Sequence, residues 1–178
     1  MIKTFLLIFI FAISINSYCC ECNDLVSLEE GRKQEFASSD NVFIAKIISI
    51  SNDYSYSEVS VEEVFKGNIK KATKLIIYNP EGCEPLIHES EDRWLIYSSV
   101  SDNKLYIHAC GLSRGFNEPD ENLHFRLSPP PPPPPLTSDT NKIEYIQKPI
   151  PQEVIEKNKE EAISLLEEEI HLLREKKY

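Results

Sequence analysis

The sequence predicts a mainly β domain, folded as a small barrel or sandwich, followed by a proline-rich segment and a C-terminal helix. Five short strand-like stretches fall close together between residues 41 and 109, which is typical of such folds. They are 41–50, 56–66, 74–79, 93–99 and 104–109. Between them stand Asn-Asp, Lys-Gly-Asn, Pro-Glu-Gly and Ser-Asp-Asn, all of which favour turns. A five-stranded barrel would leave fewer exposed sheet edges than an open sheet.

A short helix and an irregular strand are predicted within this region. Ser27 and Glu30 have the spacing of a capping box, which predicts a helix over residues 28–36. In the second strand, apolar residues alternate with polar ones as far as Val61 and then change parity at Val64. This change predicts a bulge or a coil in a long strand.

The first 19 residues have the pattern of a secretory signal peptide. Lys3 is followed by an apolar run over residues 5–15, which is too short to cross a bilayer as a helix but fits the apolar core of a leader. Cleavage after Ser17 and cleavage after Cys19 would both leave a small residue at the cut. We therefore expect an exported protein, secreted or extracytoplasmic (extracellular or periplasmic), with no transmembrane span in the mature chain.

A lipid anchor is an alternative fate for the processed N-terminus. Cys19 would then carry the lipid, but the bulky Tyr18 just before it disfavours this interpretation. Export also means that the chain's five cysteines are disulfide candidates before they are metal ligands.

Composition argues against several functions. A net charge of −10 offers no basic surface to phosphates, so we expect no nucleic-acid partner. The four histidines are scattered, with none paired at metal-ligand spacing, and there is no glycine-rich phosphate loop. We therefore predict that the chain is not an enzyme, binds no metal itself and needs no cofactor.

Four cysteines form a Cys-x-Cys pair and two distant single positions. Cys20 and Cys22 are too close to bond each other without strain, so each should reach a distant partner. Cys20 would pair with Cys83 and Cys22 with Cys110, or the pairing would be crossed. Either arrangement would attach the new N-terminus to the strands, whereas a zinc site would need a second closely spaced pair.

Taken in order, these motifs resemble the netrin-like domain of the tissue inhibitors of metalloproteinases. The resemblance covers residues 20–116. It comprises the Cys-x-Cys start, "FASSDNVFIAKI" with Phe36, Ser39, Asp40, Val42, Ala45 and Lys46, "EVFKG" at 63–67, Cys83, "RWLIYSS", and "KLYIHAC" ending at Cys110.

The resemblance implies a fold, a disulfide pattern and an activity. It implies a five-stranded OB-fold barrel with the disulfides Cys20–Cys83 and Cys22–Cys110. It also implies that Cys20, once it is the first residue, binds the catalytic zinc of a protease through its α-amine and carbonyl oxygen. Glu21, Cys22 and the loop near Cys83 would line the inhibitory contact.

The chain departs from the family in three places. Ala37 stands where the family usually has a cysteine, so one disulfide of the domain is absent. Glu21 would enter the specificity pocket of the protease, where an unpaired carboxylate is costly to desolvate. If Cys19 stays attached, the nitrogen of Cys20 is an amide and cannot bind zinc.

Two further regions follow the barrel. Residues 117–151 form a proline-rich linker in which Pro129–Pro135 predict a polyproline II rod, interpreted as a stiff spacer or as a ligand for a proline-binding module. Residues 152–178 predict a charged amphipathic helix that docks on the barrel, sits loosely beyond the linker or binds a partner. Its apolar stripe is Ile163, Leu166, Ile170 and Leu173.

The sequence thus supports two functions. The first is a secreted inhibitor of a zinc metalloendopeptidase acting through Cys20. The alternative is a non-inhibitory netrin-like module that binds an extracellular or envelope protein through the barrel face or the terminal helix.

Overall fold

A computed structural model describes residues 27–79, 87–119 and 151–178. Its elements are α1 (Leu28–Ser38), β1 (Asn41–Ile50), β2 (Tyr56–Lys66), β3 (Lys74–Tyr78), β4 (Arg93–Ser101), β5 (Lys104–Ile107), β6 (Arg114–Gly115) and α2 (Gln152–Arg174). The predicted helices and five strands are confirmed, with small differences at their ends. The predicted leader and the proline run lie outside the described residues.

The five main strands close into a barrel. Their order is β1-β2-β3-β5-β4, and β4 pairs back onto β1. All of these pairs are antiparallel except β3–β5, which is parallel. The short β6 pairs with β4 outside the closed ring. The predicted five-stranded, OB-like barrel is confirmed.

Strand β2 is irregular where the sequence predicted a bulge. In its pairing with β1, consecutive partners on β2 are Val61, Glu63, Val64 and Lys66, so Glu62 and Phe65 are each skipped. Each skipped residue bends the strand and increases its twist. A strand of 11 residues can therefore follow the curvature of a small barrel.

Alternate residues of the strands fill the barrel with apolar side chains. Phe43, Ile47, Val59, Ile77 and Ile96 are buried in this interior cluster. Because strand side chains alternate between the two faces, the residues between these positions point outward. The outward side chains form the outer surface of the barrel, which differs between its two sides.

One outer wall, formed by β1 and β4, is covered by the two helices. Val42, Ile44, Leu95 and Tyr97 on these strands form a second apolar cluster with Leu112 and, from α2, Leu166, Ile170 and Leu173. We call this the covered wall. Strands β1 and β4 are therefore buried on both faces, which explains why their sequences are nearly continuous apolar runs.

A buried carboxylate fixes α2 on the covered wall. Glu169 is fully buried; its Oε1 accepts a hydrogen bond of 2.5 Å from the Tyr97 hydroxyl, and its Oε2 accepts one of 2.6 Å from Arg114 Nη2. Arg32 Nε on α1 donates to the same Oε2 at 3.0 Å, and its Nη1 donates to Glu168 at 2.9 Å. Two guanidinium groups thus compensate the buried carboxylate of Glu169, as burial of charge requires.

Helix α1 is capped at its N-terminus and hydrogen-bonded to β2 near its C-terminus. Ser27 caps it, accepting a hydrogen bond of 3.2 Å from the Glu30 amide, as predicted. At its other end, Lys66 Nζ donates to the carbonyl oxygens of Phe36 at 2.6 Å and Ala37 at 3.1 Å. These hydrogen bonds from Lys66 join the end of the helix to the barrel.

Over the ranges that the structure describes, no helix combines the length and apolar character needed to cross a membrane.

Candidate functional site

The connections that lead towards Cys83 and Cys110 start at the same end of the barrel as the β1–β2 turn. Because β3 and β5 are parallel, with Tyr78 beside Tyr106, both strands leave the sheet at this end. The chain continues from β3 into the segment that contains Cys83, and from β5 to Cys110. The β1–β2 turn is also here, since Tyr56 lies opposite Tyr78. We call this the cysteine-bearing end.

The predicted site residues themselves, Cys20, Glu21, Cys22 and Cys83, lie outside the described residues. Cys110 is disulfide-bonded. Both predicted pairings, Cys20–Cys83 and Cys22–Cys110, stay predictions. The structure describes the end of the barrel next to segment 80–86 and Cys110.

Asn79 connects the β1–β2 turn to the segment 80–86. Its Nδ2 donates to the carbonyl oxygen of Tyr54 at 2.7 Å, and its backbone N–H donates to Ser55 O at 3.0 Å. Its Oδ1 accepts a longer hydrogen bond, 3.5 Å, from the amide of Ile87. The residues that precede and follow segment 80–86 are thereby held beside the turn.

The β1–β2 turn is itself preorganised. Asp53 accepts hydrogen bonds from the amide of Ser55 at 3.1 Å and from its hydroxyl at 2.8 Å. Hydrogen bonds from Ser51 and Ser55 lower the pKa of Asp53 to about 2. Tyr54 has a left-handed backbone, φ 57°, and a side chain that is 45% exposed. The turn thus presents a carboxylate and an aromatic ring to solvent on a fixed backbone.

A histidine–carboxylate pair lies just before Cys110. His108 Nδ1 is 3.0 Å from Glu35 Oε1 of α1. The hydrogen bond with Glu35 raises the pKa of His108 above its ordinary value. A Cβ on Gly111 would lie 2.5 Å from that same carboxylate oxygen, so glycine is needed for Glu35 to approach. The pair attaches α1 to the cysteine-bearing end.

A shallow depression borders this end of the barrel. It has a volume of about 430 Å³ and is lined by residues of the β1–β2 turn, among them Ser51, Asn52 and Tyr54, together with His88 and Ser90. Within residues 27–79, 87–119 and 151–178, no three metal-ligating side chains converge. The arrangement described here can support binding to another surface.

Sequence reasoning missed two parts of this arrangement. The role of Asn79 was hidden because the residue was assigned to the third strand, whereas β3 ends at Tyr78. His108 was assigned to the fifth strand, but β5 ends at Ile107, and the imidazole lies beside the Glu35 carboxylate. The only sequence signal for Asn79 was Pro80 immediately after it, since Asn-Pro favours a turn.

Neither a protein-family model nor a curated protein sequence matches this chain.

Proposed function

We propose that the mature chain is a secreted, netrin-like inhibitor of a zinc metalloendopeptidase. In this proposal the chain begins at Cys20 after processing, and its α-amine and carbonyl oxygen bind the zinc of the protease. Glu21, Cys22 and the segment containing Cys83 lie against the protease around that zinc.

The observation that carries the proposal is the parallel pairing of β3 with β5. It brings the connections that lead to Cys83 and from β5 to Cys110 to the same end of the barrel. Two disulfides from Cys20 and Cys22 to these positions would attach both N-terminal cysteines to that end. An N-terminus held in this way loses little conformational entropy when it binds a partner.

The chemistry of an α-amine suits an open zinc position. Catalytic zinc keeps one coordination site for water or substrate, and a neutral amine can fill it. Because an α-amine has a pKa of about 7.7–8, a useful neutral fraction exists at neutral pH. The preorganised β1–β2 turn, with Asp53 and the exposed Tyr54, adds a second contact surface beside segment 80–86.

The decisive experiment changes only the first residue. Oxidised protein beginning at Cys20 is compared with the same protein carrying one additional alanine before Cys20, using a panel of zinc metalloproteases. The extra residue converts the amine into an amide, which cannot bind zinc, so we expect inhibition to fall by at least about 100-fold. N-terminal sequencing of the secreted protein establishes whether Cys20 is the native first residue.

A matched control inserts the same alanine between Thr137 and Ser138 in the linker and should inhibit like the parent protein. Equal potency of the two N-terminal forms would exclude the zinc-binding mechanism. The absence of inhibition by the Cys20 form across the panel would exclude the inhibitor proposal as a whole.

A second candidate function is a non-inhibitory module that binds an extracellular or envelope protein. The exposed first half of α2 favours it: Val154 and Ile155 are 43% and 44% exposed, whereas the apolar residues near the end of the helix are buried. Deleting residues 152–178 would also uncover the covered wall, so the better test is the double substitution Val154→Gln and Ile155→Gln. Loss of partner binding with unchanged unfolding would support this function, and unchanged binding would exclude α2 as its surface.

A further inference from the structure

The wall of the barrel opposite the helices carries a row of tyrosines. Tyr56 on β2 lies opposite Tyr78 on β3, and Tyr78 lies beside Tyr106 on β5. The ring centroids are 5.9 Å and 5.5 Å apart, with planes tilted by 52° and 37°. We call these three residues the tyrosine row.

The row combines apolar rings with hydrogen-bond donors. Within the described part of the chain, the hydroxyls of Tyr56, Tyr78 and Tyr106 have no hydrogen-bond partner. Lys104 Nζ lies 4.8 Å from the centre of the Tyr78 ring. Ile76, two residues before Tyr78 on β3, is 47% exposed. A complementary ligand would present apolar rings and hydrogen-bond acceptors.

We propose that the tyrosine row binds the chain's own proline run, Pro129–Pro135. Seven consecutive prolines have no backbone N–H and so offer only carbonyl acceptors between apolar rings. Tyrosine hydroxyls and the Lys104 ammonium group supply the missing donors. Aromatic surfaces recognise polyproline II segments in this way because the rod is already ordered before it binds.

The dimensions of the row fit such a ligand. One turn of a polyproline II helix advances about 9 Å over three residues. The three rings stand in contact with one another and form one aromatic strip, with centroid separations of 5.9 Å and 5.5 Å. Seven prolines make about two turns, roughly 22 Å, so the run is long enough to lie along the whole strip and to extend past Lys104.

The chain leaves the described residues on the side of the barrel where His88 and the β1–β2 turn lie. Glu118 and His88 line one small depression, and His88 and Tyr54 line the next. Asn79, the residue after Tyr78, donates to the carbonyl oxygen of Tyr54. Glu118 and the tyrosine row are therefore both next to residues that border the β1–β2 turn.

Both connecting segments are long enough. Residues 120–128 precede the run and can span about 30 Å when extended, and residues 136–150 after it can span about 50 Å. A domain of about 100 residues has a radius of gyration of only about 13 Å. The run can therefore reach the row and the chain can still return to the start of α2. This inference is independent of the proposed protease inhibition.

The test uses the full oxidised chain with ¹³C-labelled tyrosine rings. Replacing Pro129–Pro135 by seven glycine and serine residues should shift the ring signals of Tyr56, Tyr78 and Tyr106. The signals of Tyr97 and Tyr178, which lie on the covered wall, should stay in place. A matched control that replaces residues 137–143 by glycine and serine should leave all five signals unchanged.

The outcomes separate the possible occupants. Unchanged signals of the row after replacement of the run would overturn the proposal. Signals that change with dilution of the wild-type protein, together with a dimer in sedimentation, would also overturn it, since the run would then come from a second copy. Free heptaproline added to the replaced variant at millimolar concentration should move the three signals back towards the wild-type positions, because short tethers give effective concentrations in that range. No movement would exclude the row as a proline site.

Discussion

The two outer walls of the barrel differ in burial, although the same closed sheet forms both. On the covered wall, β1 and β4 place Ile44, Leu95 and Tyr97 against two helices, and even a carboxylate is buried there because two guanidinium groups face it. On the wall formed by β2, β3 and β5, the outward side chains include Tyr56 and Ile76, both well exposed. We call the latter the open wall. The comparison teaches that stability is concentrated on the covered wall, whereas the open wall is available for contacts.

The two walls also differ in sequence. β1 and β4 read as nearly unbroken apolar runs because both of their faces are buried, whereas β2 alternates between Val59 and Val61 inside and Glu58 and Ser60 outside. The pattern of a strand therefore indicates which wall it belongs to.

The largest expected effect is loss of the buried carboxylate. Glu169→Gln leaves Arg114 and Arg32 buried without a full counter-charge, so we expect the free energy of unfolding to fall by about 3 kcal/mol or more. Urea unfolding measures it. The matched control is Glu168→Gln, whose side chain is 56% exposed and which should cost less than about 1 kcal/mol. Equal effects of the two substitutions would contradict the assignment of Glu169 to the covered wall.

The apolar contacts of α2 should come next. Leu166→Ala removes a side chain that is 2% exposed and should destabilise by about 2–4 kcal/mol through lost burial and a residual cavity. Ile163→Ala, on the same predicted stripe but 37% exposed, should cost less than about 1 kcal/mol. Thermal or urea unfolding of the pair tests whether the docked face is the one described. A larger loss at Ile163 would mean that the helix is rotated.

A smaller effect, dependent on pH, is expected at the cysteine-bearing end. Because Glu35 raises the pKa of folded His108, protonation favours the folded state. The extra stability is fully present below the unfolded pKa, about 6.5, and is lost as pH rises through the folded pKa. Glu35→Gln should therefore cost about 1 kcal/mol at pH 5.5 and less at pH 8.5, measured by urea unfolding. In a His108→Gln background the same substitution should lose this pH dependence, and a cost that grows with pH would refute the pairing.

The smallest effect should be found on the open wall. Tyr56→Ala removes one member of an exposed cross-strand pair and should cost less than about 1 kcal/mol in urea unfolding. The control is Tyr97→Ala, a buried tyrosine of the covered wall, which should cost several times more. A cost at Tyr56 that matches the one at Tyr97 would remove the distinction between the walls.

Most of the barrel could be predicted because local signals were strong. Alternation, turn residues and the parity change near Val64 identified the strands and the bulge, and the Ser27 cap identified the start of α1. The network around Glu169 could not be predicted in this way, because Arg32 lies 137 residues away in sequence and only the fold brings the two together. Of the predicted apolar stripe of α2, Leu166, Ile170 and Leu173 are buried, whereas Ile163 is 37% exposed. Ala162 and Glu169 complete the buried face, which the apolar pattern alone did not indicate.

The candidate site was less predictable than the fold. Family resemblance pointed to Cys20, Glu21, Cys22 and Cys83, whereas the described part of the cysteine-bearing end depends on Asn79 and on a parallel strand pair that no local pattern indicates. Strand direction in a closed sheet is a property of the whole ring.

The Arg32–Glu169 contact has a consequence for biosynthesis. Arg32 cannot find its buried counter-ion until α2 has been synthesised, 137 residues later, so folding of this wall has to wait for that helix. A prematurely terminated product would keep that guanidinium and the neighbouring Leu95 surface unshielded, which is the kind of defect that cellular surveillance proteases remove.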